Sequence, residues 1–312
     1  MGEKIFLTAP MPVRRSDAHR SDIRSGELVR FCQGIYFPAE ADINVISLSR
    51  AAFLKFDDVV IGGWAALVHW GVPFWLDAGH FSAHSQTVRP TSWAWVTVLG
   101  TPNYKTSRGV DPLVPGIRVV DLATATIDCL QDLWKNRHSW WVPKFWDIAD
   151  REVRCVQLID AVRRHCGLTI TALKRAARDR FCQRRLRRLL RKSALGADSP
   201  QETLMRLAIG DLGGGAVPQY EVFSHSGKLI TIIDLAFPGI KVAVYYDGHH
   251  HLDRKRRDRD SEINAALQER GWTVFRVTTK MLARPGFLRH RVKALVQRAE
   301  FLARNDQNSP PF

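Results

Sequence analysis

The run Leu229-Ile-Thr-Ile-Ile-Asp-Leu-Ala-Phe-Pro-Gly-Ile-Lys-Val-Ala-Val-Tyr-Tyr-Asp-Gly constrains the chain most, because two apolar stretches flank Pro238-Gly239. Such stretches pair as an antiparallel hairpin. A turn centred on Gly239 and Ile240 sets Asp234 opposite Tyr245, and the two-residue period of a strand places Asp247 on the same face. Acidic residues then stand where apolar ones are expected. Opposed carboxylates repel, a cation between them removes the repulsion, and all-oxygen sites of this kind suit Mg²⁺ or Mn²⁺. His249, His250 and His251 follow directly, with side chains that ligate metals or exchange protons near neutral pH. An edge hairpin with a solvated Asp-Gly end and a chance histidine run is the alternative reading.

The flanks add structure on both sides. Ser199-Pro200-Gln201-Glu202 opens a helix with Leu204, Leu207, Ala208 and Leu212 at helical spacing. It reads as a capping box with proline at the first helical position, which gives Glu202 a structural role of its own. Downstream, Arg254-Lys-Arg-Arg-Asp-Arg-Asp260 leads into a helix around residues 265–270, ended by Gly271 before the strand Trp272-Thr-Val-Phe-Arg-Val277. The order is helix, hairpin, helix, strand.

With these motifs in this order, residues 197–304 resemble a bacterial domain of unknown function related to the very-short-patch repair endonucleases. These belong to the restriction-endonuclease-like PD-(D/E)XK superfamily. The resemblance implies that Asp234 is the metal-binding aspartate of the first hairpin strand and Glu202 the acidic residue of the preceding helix. It also implies that Asp247 and a histidine, His250 or His251, complete the catalytic set around Mg²⁺ or Mn²⁺. The departure is Tyr245, which stands where many relatives carry glutamate. The repair endonucleases use a backbone carbonyl at the equivalent place, so Tyr245 is expected to offer its carbonyl to the metal.

The first two-thirds differ in character. Residues 14–24 form a short basic helix candidate, followed by two strands around Gln33-Gly34. Helix then hairpin is the close of a winged helix. Residues 1–58 resemble a degenerate form of the winged-helix domain of abortive-infection (AbiEi-like) type IV antitoxins, with a small capping subdomain as the alternative. Residues 59–196 carry Gly62-Gly-Trp-Ala-Ala-Leu-Val-His-Trp-Gly71, a helix closed by glycine, the strand Trp93-Ala-Trp-Val-Thr-Val98, and a strand feeding a helix over residues 117–130. These blocks resemble the C-terminal region of the same antitoxins, which implies contact with a cognate toxin or other protein. His69, His80 and His84 lack metal-ligand spacing and are read as structural. Trp134, Trp140, Trp141 and Trp146 could stack on bases, but the apolar residues around them favour a core.

Residues 171–192 hold the densest charge, an apolar stripe of Leu173, Ala177, Phe181, Leu186, Leu189 and Leu190 on a helix otherwise almost wholly arginine. Such a helix lies on an anionic membrane, follows DNA phosphates, or stands solvated between domains. Its place directly before the Glu202 helix favours phosphate contact by Arg184, Arg185, Arg187 and Arg188, joined by Arg254, Arg256 and Arg257. A formal net charge of +15 agrees with a polyanionic partner. No apolar run suits a bilayer span, and the N-terminus lacks the apolar core of a secretory signal. The five cysteines, Cys32, Cys129, Cys155, Cys166 and Cys182, are odd in number and widely spaced, as expected of reduced thiols in a cytoplasmic protein. Residues 305–312 read as a disordered tail.

The sequence therefore predicts an α/β (α+β) multidomain protein: a degenerate winged-helix start, a mixed middle and a restriction-endonuclease-like end. The function expected is DNA binding with metal-dependent hydrolysis of phosphodiesters. The alternative is a non-catalytic antitoxin-like regulator whose nuclease domain is degenerate.

Overall fold

The computed structural model describes residues 2–56, 58–100, 105–210, 212, 215–248 and 254–307. The fold is mixed α/β and divides into two compact units. Unit 1 comprises residues 1–139 and 165–190; unit 2 comprises residues 140–164 and 191–312. Neither is continuous in sequence.

Unit 1 opens with α1 (Gly2–Thr8), β1 (Val13–Arg14), α2 (Arg20–Ser25), β2 (Leu28–Cys32) and β3 (Ile35–Pro38). The strands form a small sheet in the order β1-β3-β2, turning at Gly34, whose φ of 82° suits glycine. The basic helix expected over residues 14–24 shortens to the six residues of α2, because Val13 and Arg14 are drawn into pairing with β3. Next come α3 (Val45–Lys55), β4 (Val60–Ile61), α4 (Gly63–His69), β5 (Phe81–Ser85), β6 (Thr91–Ser92), β7 (Val96–Gly100), β8 (Thr106–Arg108), β9 (Arg118–Val120) and α5 (Leu122–Trp134). Their strands make a mixed sheet, β6-β7-β5-β4-β9-β8, with α4 packed on α5. Gly71, at φ 92°, follows α4 as its glycine stop. Asn44 caps α3 by accepting from the backbone of Ile46 and Ser47.

The chain continues through α6 (Asp150–Cys166), most of which belongs to unit 2, then α7 (Ile170–Ala176) and α8 (Gln183–Lys192). The single basic helix expected here is two. Asp179 sits at φ 60° between them, and Arg180 turns in to donate to the Asp128 carboxylate while its carbonyl accepts from Gln131. Tertiary bonds have overridden helical propensity. The apolar stripe is nonetheless buried at Leu173, Ala177, Phe181, Leu186 and Leu189.

Unit 2 is completed by α9 (Pro200–Ile209), β10 (Val217–Phe223), β11 (Leu229–Phe237), β12 (Val242–Asp247), α10 (Arg254–Gln268), β13 (Thr273–Thr278), α11 (Thr279–Leu282) and α12 (Pro285–Gln307). The sheet runs β10-β11-β12-β13, antiparallel but for the β12–β13 pair, which α10 connects as a crossover. Leu267 of α10 joins Val222, Ile233, Ala243 and Trp272 in one cluster. Alternation gives Val242 and Val244 to the other face, where α9 and α12 pack on β12 and on each other. Each such aliphatic side chain, wholly buried, contributes roughly 1.5–3 kcal/mol.

Candidate active site

The hairpin register is the one the sequence dictates. Phe237↔Val242, Ala236↔Ala243 and Leu235↔Val244 pair in turn, which makes Asp234 and Tyr245 the next opposed residues. The pairing stops there. On its other side β11 pairs Leu235 with Pro218 and Ile233 with Tyr220, omitting Gln219 and Asp234 between them. Gln219 adopts φ 50°, a left-handed conformation that costs a non-glycine residue about 1 kcal/mol or more. Both ladders are thus interrupted at one residue. Asp234 Oδ2 accepts the backbone N–H of Tyr246 at 2.8 Å, so the carboxylate itself bridges to the neighbouring strand.

Glu202 is delivered by the capping box. Ser199 Oγ accepts the Glu202 N–H at 3.2 Å and donates to Glu202 Oε1 at 2.9 Å. Oε2 accepts the backbone N–H of Asp198 and the Nε2–H of Gln219, each at 2.9 Å. The strained Gln219 therefore ties the α9 N-terminus to the sheet position facing Asp234. Burial raises the pKa of Glu202, partly offset by the Asp198 and Ser199 hydrogen bonds. Asp234 goes further, up to about 7: burial pushes it up first, then the neighbouring charges of Glu202 and Asp198, against the Tyr246 N–H and Arg276. Asp198 is itself ion-paired with Arg164.

The structure thus brings Asp234 and Glu202 together. Asp247 is exposed at the end of β12, in register with Thr278. Tyr245 is half-buried, its hydroxyl 3.3 Å from Thr231 Oγ1 and its ring 5.7 Å from the Arg276 guanidinium carbon. Burial pushes its pKa up. His249, His250 and His251 lie outside the described residues, as do the side chains of Arg254, Arg256 and Arg257 on α10. Arg184, Arg185, Arg187 and Arg188 are exposed on α8, with the Arg185 guanidinium 4.6 Å from the ring centre of Trp134. Among the described residues no trio of His, Cys, Asp or Glu is arranged to hold a metal ion.

Asp198, Gln219 and Arg276 also belong to this neighbourhood, and the sequence reading did not single them out. Arg276 was visible as a charge inside an apolar strand. Asp198 stood one residue before the helix cap. Gln219 gave no signal, because Val217-Pro-Gln-Tyr-Glu-Val-Phe lacks clean alternation and contains a proline.

The tryptophans divide. Trp134 meets Phe181 edge-on, and Trp140 Nε1 donates to Gln157 at 2.8 Å. Trp141 and Trp146, expected in a core, are instead 67% and 59% exposed. The three histidines read as structural all lie in unit 1. His69 and His84 are buried, and His80 bonds Thr97 Oγ1 at 3.0 Å.

No protein-family model and no curated protein matches the chain. Among the described residues no helix is long and apolar enough to cross a membrane.

Proposed function

We propose that the chain binds DNA and that unit 2 is a metal-dependent endonuclease hydrolysing phosphodiester bonds. The observation that carries this reading is Asp234: half-buried, released from both strand ladders and facing further carboxylates, with its pKa raised to about 7. Excess negative charge withdrawn from water is what a divalent cation neutralises. The order of α9, β10, β11, β12, α10 and β13 also agrees with the resemblance drawn from the motifs. In this reading Asp234 and Asp247, with the carbonyl of Tyr245, would hold Mg²⁺ or Mn²⁺, which when bound supplies Lewis acidity to a phosphate oxygen and lowers the pKa of a water. Asp234 must surrender its proton to serve as a ligand. Glu202, fixed by three hydrogen bonds, orients or deprotonates the attacking water, a role it would share with His250 or His251. The arginines of α8 and the start of α10 contact phosphates, so reversing Arg184, Arg185, Arg187 and Arg188 to glutamate weakens DNA binding and flattens its salt dependence.

The test is cleavage of supercoiled, single-stranded and mismatched DNA with Mg²⁺ or Mn²⁺. Wild type is expected to nick or cut, and Asp234→Asn to bind DNA without cutting it.

A second reading is a non-catalytic regulator, cytoplasmic and antitoxin-like, that takes a cognate toxin or other protein through unit 1. One observation favours it, that both Glu202 oxygens are committed to the helix cap and Gln219, and the resemblance adds that Tyr245 stands where a carboxylate is expected. An inert wild type that becomes active as Tyr245→Glu would establish this reading.

A further inference from the structure

Within unit 2, two adjoining grooves share Gly286 near the start of α12. The first encloses about 780 Å³ and is walled by Trp146, Arg191, Lys192, Arg206 and Arg289. The second encloses about 660 Å³, with Trp141, Lys144, Arg154, Arg284 and Phe287 in its wall. Among the described residues one acidic residue lines each, Asp147 in the first and Asp150 in the second, and both are paired with lysine. The basic excess is therefore large. Trp141, Trp146 and Phe287 are 67%, 59% and 42% exposed, with arginine guanidinium groups over the rings of Trp146 and Phe287.

The cationic groups are held in place. The Arg289 guanidinium carbon lies 5.6 Å from the Trp146 ring centre, and Nη1 donates to the Ile209 carbonyl at 2.5 Å. Gly210 makes that position possible: at φ 62° it carries no Cβ, and one built there would lie 2.3 Å from Arg289 Nη1. Arg206 is fixed by Asp160 at 2.6 Å and the Lys192 carbonyl at 2.8 Å. Leu235 and Pro218 also line the first groove and are chain neighbours of Asp234 and Gln219.

We propose that these grooves take an unpaired DNA strand, with a base stacked on Trp146, a further base reaching Trp141, and the phosphates facing Arg191 and Arg289. Alternating rings and fixed cations match a polymer that alternates flat bases with anionic phosphates. The proposal deepens the nuclease reading and rests on it for the choice of DNA.

The test uses the full chain and a labelled oligothymidylate in EDTA, where no cleavage occurs, with fluorescence anisotropy as readout. Trp146→Ala is expected to weaken binding roughly 5- to 150-fold, the worth of one stacked base. Trp146→Phe should retain most of the affinity, and Arg191→Glu, on the exposed end of α8, should weaken binding and reduce its salt dependence. Because binding is read in EDTA, it is scored independently of cleavage, which separates this proposal from the fate of the nuclease reading. Wild-type affinity in both Trp146→Ala and Arg191→Glu would overturn it, even if DNA were cleaved. So would tighter binding of an oligouridylate, tighter binding of a duplex of the same length, or capture of phosphatidylserine vesicles in place of the oligonucleotide.

Discussion

Asp128 in unit 1 and Asp234 in unit 2 are both carboxylates withdrawn from water, and their surroundings are opposite. Asp128 receives the Arg180 guanidinium, the Ser82 hydroxyl at 3.0 Å and the His84 ring at 3.4 Å. Asp111, in the same unit, is held by two bonds from a fully buried Arg50, whose Nη1 and Nη2 also donate to the carbonyls of Ala9 and Phe6. Asp234 receives one backbone N–H and faces Glu202 and Asp198, and burial with these charges outweighs the nearby Arg276. The contrast is not one of units. Asp160, in unit 2, accepts from Arg206, Thr203 and the Ala194 backbone, partners that oppose the rise in its pKa caused by burial. Asp111, Asp128 and Asp160 are each given a close cation by the fold; Asp132, with Arg137 at 3.5 Å, is not fully offset, and burial pushes its pKa up to about 6. Asp234 is given more negative charge, which is why the site is placed there.

The comparison can be broken at its structural side first, where the largest effect lies. Arg50→Leu leaves Asp111 buried without its partner and should cost about 3–5 kcal/mol of unfolding free energy, read from urea denaturation. A loss below about 1 kcal/mol would show that compensation is not what keeps that carboxylate.

At the other side the sign reverses. A carboxyl whose folded pKa lies above its unfolded value holds its proton in the folded state between the two. Stability therefore falls as pH rises from about 4 to the folded value of about 7, and the penalty is complete above it. Asp234→Asn removes that penalty. It should stabilise the protein by about 2–4 kcal/mol at pH 8 and by almost nothing at pH 4. Equal stability of the two proteins across that range would mean Asp234 is compensated like Asp128.

How much of this was legible beforehand depended on periodicity. The Asp234–Tyr245 register followed from the two-residue period around Pro238-Gly239, and the capping box from Ser199 and Glu202, because both are local patterns with local causes. The break at Asp234 was not legible, since it depends on a left-handed Gln219 in a strand that proline and mixed polarity concealed. Nor was the split of the basic helix, where Arg180 leaves its helical path for a partner 52 positions away in sequence. Trp141 and Trp146 were misplaced in a core because apolar neighbours in sequence do not reveal which of them a fold leaves outside.

Two smaller effects sharpen the account of how the site is assembled. Ser199→Ala removes the α9 cap and a hydrogen bond to Glu202, and should cost about 1 kcal/mol in thermal or chemical unfolding. Smaller still, Tyr245→Phe deletes only the 3.3 Å contact with Thr231 and should cost about 0.5 kcal/mol. A much larger loss would make Tyr245 a structural keystone and strengthen the regulator reading.

The central claim is that Asp234 is left uncompensated for a cation that the fold does not supply. Isothermal titration of the full chain with Mn²⁺ at pH 8 tests it most directly. The account predicts binding that weakens as pH falls through about 7, where Asp234 takes up its proton, and that disappears in Asp234→Asn. Equal Mn²⁺ binding by wild type and Asp234→Asn, or none by either, would contradict it.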